Sequence, residues 1–136
     1  MFNQYLVAKD YLNIDYDERS HAIFVTWLAP AGQEFFKKGM MEVTLALKHF
    51  NTTKVIWDTC QLGILSREIQ DWLANIWIYE AIKSGYMYAA FYIPNDFSER
   101  LPSGESMATD INNCARARRA DFFDNIEQAR SWLQQF

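Results

Sequence analysis

The segment from Lys54 to Leu73 reads KVIWDTCQLGILSREIQDWL, and it sets an acid, a hydroxyl and a thiol side by side at Asp58, Thr59 and Cys60. A carboxylate in this position can hold a polar group of a ligand, or it can accept N–H groups of its own turn. The neighbouring hydroxyl could carry a phosphoryl group. A thiol just ahead of a helix loses its proton more readily than usual. Nucleophilic use of Cys60 would need a base, and the chain's imidazoles are His21 and His49. The first falls at a turn and the second near the end of a helix, and no motif brings either to Cys60. The expectation is a turn-forming Asp58 and an inert Cys60. Two histidines and two lone cysteines match no zinc spacing. The phosphate-binding and nucleophile-elbow motifs G-x-G-x-x-G, G-x-x-x-x-G-K-[ST] and G-x-S-x-G are absent from the sequence. No catalytic residue, metal or cofactor is expected.

The elements around this stretch follow from periodicity. Leu12, Ile14 and Tyr16 alternate with Asn13, Asp15 and Asp17, the period of a half-buried strand. After a turn at Asp17–Ser20, the apolar run Ala22–Leu28 reads as a central strand. Pro30 and Gly32 break the chain. Phe36, Met40, Val43, Leu47 and Phe50 then form a helical stripe, with Gly39 inside it as a mark of close packing. Lys54–Trp57 is a short buried strand running into Asp58. Ser66 is an N-cap for a second helix, Glu68 suits its positive end, and Gly85 suits its C-terminus. Its core stripe is expected to be Ile69, Trp72, Leu73, Ile76 and Tyr79. Tyr86–Ile93 follows as a strand. Met107, Ile111 and Cys114 fall at helical spacing, Ala120–Phe123 reads as a last strand, and Asn125 caps a terminal helix whose inner face includes Trp132 and Leu133.

The expected fold is therefore α/β, in the order β-β-α-β-α-β-α-β-α. It is a mostly parallel mixed sheet with an N-terminal antiparallel hairpin and helices packed on the sheet. One domain is expected over residues 1–136. Half of the residues are hydrophobic and 16% are aromatic, ample for one core. The net charge of -4 speaks against a nucleic-acid partner. Arg116, Arg118 and Arg119 run against that average and are read as a solvated helix end. The N-terminus lacks the basic and apolar regions of a signal peptide, and no apolar run approaches the roughly 18 residues that span a bilayer. A soluble, cytoplasmic protein without membrane insertion is expected.

This order, closed by the helix EQARSWL, resembles the STAS-like domains, relatives of the bacterial anti-sigma-factor antagonist in the branch grouped with CRAL-TRIO-type folds. The resemblance covers essentially the whole chain. It is carried by the strand ending in Asp58, by Trp72 in the following helix and by IPNDF at Ile93–Phe97. It implies the fold and a regulatory or binding role, and no reaction. The stretch DTCQLG, Asp58–Gly63, is similar to the antagonists' phosphorylated D-S-S-G-L-G, with Thr59 in place of the serine. Cys60 and Gln61 depart from that pattern, and the strand runs into Asp58 without the longer loop. Thr59 is therefore expected to stay unphosphorylated.

Two functions compete. The first is a non-enzymatic regulatory or protein-interaction module whose partner is another protein, a homodimer included. The alternative is a binder or carrier of a small apolar or lipid-like ligand, for which the five tryptophans could line a pocket. An enzyme working through Asp58 is a weaker third. On a regular helical wheel Ile78 and Ile82 lie opposite the core stripe of the second helix, and Trp77 lies at its flank. Trp77, Ile78 and Ile82 are the expected interface.

Overall fold

Alternating apolar residues pair Leu12, Ile14 and Tyr16 with Trp27, Val25 and Ile23, so β2 (Leu12–Asp17) and β3 (Ala22–Trp27) form the expected hairpin. The computed structural model describes residues 5–94 and 117–136. The hairpin is preceded by a strand that the sequence reading lacks, β1 (Tyr5–Ala8), antiparallel to β2. The chain then runs through α1 (Gln33–Phe50), β4 (Lys54–Asp58), α2 (Arg67–Trp72), a π-helical turn at Leu73–Trp77, α3 (Ile78–Lys83), β5 (Tyr88–Tyr92), β6 (Arg119–Phe123) and α4 (Ile126–Leu133). Among the described residues six strands lie in sequential order. The pairs from β3 to β6 are parallel. The expected helix carrying Met107, Ile111 and Cys114, and most of IPNDF, lie outside the described residues. Arg118 and Arg119 lead into and begin β6, so they are not a helix end.

The sheet's two faces are covered differently. On one face Ile14, Val25, Trp57 and Phe91 pack under α1 and the α2–α3 helix, forming the main core with Trp27, Phe36 and Trp77. On the other, Ala22, Ile56 and Ala90 meet Ala129 and Leu133 of α4. The main core is filled by rings in contact. Trp57 and Trp77 lie 6.0 Å apart, Trp77 and Tyr86 5.4 Å apart, and Trp27 stacks on Phe36 at 4.9 Å. The Trp57 indole donates to the Tyr86 hydroxyl at 3.2 Å, and burial holds that phenol well above its usual pKa. Gly39 marks close packing as expected: a Cβ there would come within 2.7 Å of both Leu12 and the Trp27 ring.

The terminal helix is latched by charge. Arg130 donates to the buried Asp17 carboxylate at 3.1 Å and pairs with Glu127, which also accepts from Arg19. Burial opposes the Arg130 charge, but the Asp17 and Glu127 carboxylates outweigh it and raise its pKa. Leu133 is fully buried and Trp132 half-buried, so the docking of α4 rests more on Leu133 than on Trp132.

Candidate functional site

Ser66 begins the helix that matters most here: its hydroxyl accepts from the Ile69 N–H at 3.2 Å, as its capping role requires. Four residues after Ile69 the winding changes. Across Leu73–Trp77 the backbone hydrogen bonds span five residues, with Ile78 N–H donating to the Leu73 carbonyl. Each residue of such a turn advances less around the axis. The buried stripe can then step by four at every turn, through Ile69, Leu73, Trp77 and Ala81. On a regular α-helix the same three steps would drift by about 120°.

This change corrects the expected interface. Trp77 is 0% exposed, and its indole donates to the Met40 carbonyl of α1 at 2.8 Å, so it belongs to the core. Ile78 is half-buried and packs against that core. Ile76 and Tyr79, expected inside, are 54% and 62% exposed, and Ile82 is 57% exposed. The outer face of the helix thus carries an apolar ridge, Ile76–Tyr79–Ile82, at steps of three. Short helical stretches with π turns are often found at functional sites.

The acid, hydroxyl and thiol at the end of β4 are placed as the turn requires. Asp58 Oδ1 accepts the Cys60 N–H at 3.2 Å, and the Thr59 carbonyl accepts from Leu62 N–H at 3.1 Å. Thr59 is 2% exposed, so its hydroxyl is out of reach of a modifying enzyme in the folded chain. The Cys60 thiol lies 3.9 Å from the Tyr92 carbonyl. His21 instead meets the Tyr16 hydroxyl at 2.5 Å and the Asn51 carbonyl at 3.2 Å, at the opposite end of β3. Neither histidine is placed against the thiol.

Strand register reveals what the linear sequence hides. Asn13, Thr26, Asp58 and Tyr92 occupy one row across four strands, at the carboxyl end of the parallel sheet. Nearby on that face, Asp15 has a buried Oδ1 with no partner, and burial raises its carboxyl pKa. Among the described residues no group of His, Cys, Asp and Glu is arranged to hold a metal ion.

A depression of about 360 Å³ opens at the same end of the sheet, on the face covered by α1 and α2, between the loops after β3 and β4. Pro30, Phe36, Leu62, Ile64, Leu65 and Ile69 make it largely apolar, and Asp58, Thr59 and Cys60 are not among its lining residues. No helix among the described residues is long and apolar enough to cross a membrane. Comparison with family models, with curated proteins and with solved structures finds no match to this chain.

Proposed function

We propose that this chain is a non-enzymatic STAS-like module that works by binding a protein partner through the outer ridge of the α2–α3 helix. The carrying observation is the ridge itself: Ile76, Tyr79 and Ile82 stand outward in one line while the opposite side of each turn is anchored in the core through Leu73, Trp77 and Ala81. Exposed apolar residues are ordinary when scattered. Neighbouring ones on a rigid helix are characteristic of contact surfaces, and tyrosine is a favoured anchor. Asp58 accepts from its own turn and the Cys60 thiol lies against the Tyr92 carbonyl of β5, an arrangement that supports a binding role.

The test is a photo-crosslinking residue at position 79, in the full chain expressed in its own cells, with position 45 on α1 as control. One discrete adduct, lost with Ile82→Asp, is the expected result. No adduct at position 79, or one that survives Ile82→Asp, overturns the proposal.

A second reading has its own observation. The 360 Å³ apolar depression lies where open α/β sheets bind ligands, and its size suits a small apolar molecule. Native mass spectrometry of the purified chain would show a bound small molecule that Leu65→Asp removes. A chain of bare mass that also fails to bind an apolar fluorescent probe would exclude it.

A further inference from the structure

We infer that the partner on this ridge is a second copy of the chain, docked antiparallel about a two-fold axis at Tyr79. The inference rests on the reading above that the ridge is a contact surface. In a two-fold contact the same patch serves both copies, and a residue some steps after the axis meets the one equally far before it. The ridge satisfies this condition in its own order, Ile–Tyr–Ile. Reflected about Tyr79, Ile76 meets the partner's Ile82, Tyr79 meets the partner's Tyr79, and Ile82 meets the partner's Ile76. A contact with an unrelated protein places no such demand on the ridge.

Charge follows the same symmetry. Glu80 and Lys83 reflect onto Ile78 and Asn75, so no like charges face each other. Asp71 lies beyond Ile76 from the axis, so on the partner it falls beyond Ile82, past the end of α3 at Lys83. There a depression of about 450 Å³ is lined by Ile82, Tyr86, Met87 and Arg118. The exposed Asp71 carboxylate of one copy therefore comes over the other copy's Arg118, and the pair occurs twice. Its present partner, Arg67, is exposed and 3.7 Å away, a weak attachment that leaves the carboxylate able to turn. The remaining large exposed apolar residues of α1, Phe35 and Leu45, lie ten positions apart on their helix and form no such line.

Sedimentation velocity on the full chain at micromolar concentration tests the idea. The parent should be a dimer and Ile82→Asp a monomer that keeps the parent's folded circular-dichroism spectrum. Asp71→Arg should weaken the dimer about tenfold, Arg118→Asp likewise, and the two together should recover most of the loss. In a Cys60→Ser, Cys114→Ser background, Tyr79→Cys should oxidise to a covalent dimer and Leu45→Cys should not. A monomeric parent overturns the inference, as does a dimer indifferent to Ile82→Asp or charge reversals that do not compensate. A monomeric parent whose position-79 adduct has the mass of a different protein overturns self-docking and leaves the contact surface standing. A monomeric parent with no adduct overturns both.

Discussion

Trp77 of the π turn donates its indole N–H to the main-chain carbonyl of Met40 in α1, at 2.8 Å, and both residues are fully buried. This bond ties the second helix to the first at the point where its winding changes. It also explains the ridge: turning Trp77 inward to Met40, Trp57 and Tyr86 turns Ile76 and Tyr79 outward.

The exchange of inner and outer residues sets up a direct contrast. Trp77→Ala should cost about 3–5 kcal/mol, as large core truncations do. Tyr79→Ala should change stability by no more than about 0.5 kcal/mol in the monomer. Urea unfolding, followed below the concentration at which any dimer persists, reads both. The opposite ranking would restore the regular helical wheel.

Gly39→Ala should destabilise by about 1–3 kcal/mol even though alanine favours helix by about 1 kcal/mol. The added methyl would meet Leu12 and the Trp27 ring at 2.7 Å, and an indole stacked on Phe36 has little room to give. A variant more stable than the parent would show that the sheet and α1 are less tightly packed than this.

The latch on α4 should divide by burial. Arg130→Ala leaves the buried Asp17 carboxylate without its guanidinium and should cost about 1.5–3 kcal/mol. Arg19→Ala, in an exposed pair with Glu127, should cost less than about 1 kcal/mol. Equal effects in thermal unfolding would mean that the Asp17–Arg130 bond is not what holds the helix.

Asp15 carries a pH dependence of definite sign. Burial raises its folded pKa above the ordinary 3.8, so the folded chain holds this proton more tightly than the unfolded chain. Stability is then lost as pH rises from about the unfolded value through the folded one. Asp15→Asn removes that loss. Its stability relative to the parent should therefore improve between acid and neutral pH in urea titrations. A difference independent of pH would show that the carboxyl is effectively solvated.

Thr59 should be recovered unmodified. Its side chain is buried in the turn after β4, and a kinase would have to open that turn to reach it. Mass spectrometry of the peptide spanning Asp58–Leu65, from protein made in its own cells, gives the occupancy directly. A major phosphorylated form would revive the switch suggested by the likeness of DTCQLG to the antagonists' motif.

Alternation from Leu12 to Asp17, the apolar runs at Ala22–Leu28 and Lys54–Trp57, the stripe from Phe36 to Phe50 and the caps at Ser66 and Asn125 were all legible in the sequence, and with them the mixed α/β sheet, although β3 itself stops at Trp27. So was the turn at Asp58, because an Asx turn is made by residues two apart. These signals are local: each depends on the side chain's own neighbours along the chain. β1 was not legible, since Tyr5–Ala8 is a short edge strand whose extended state depends on pairing with β2. The row Asn13–Thr26–Asp58–Tyr92 exists only through register between strands. The identity of the helix's outer face was decided by tertiary packing alone. A wheel of constant pitch assigns Ile76 and Tyr79 to the core, but the indole of Trp77 fills the space against Trp57 and Tyr86 and finds its acceptor on α1. The extra residue in the π turn is what lets it reach there, and no local period records that.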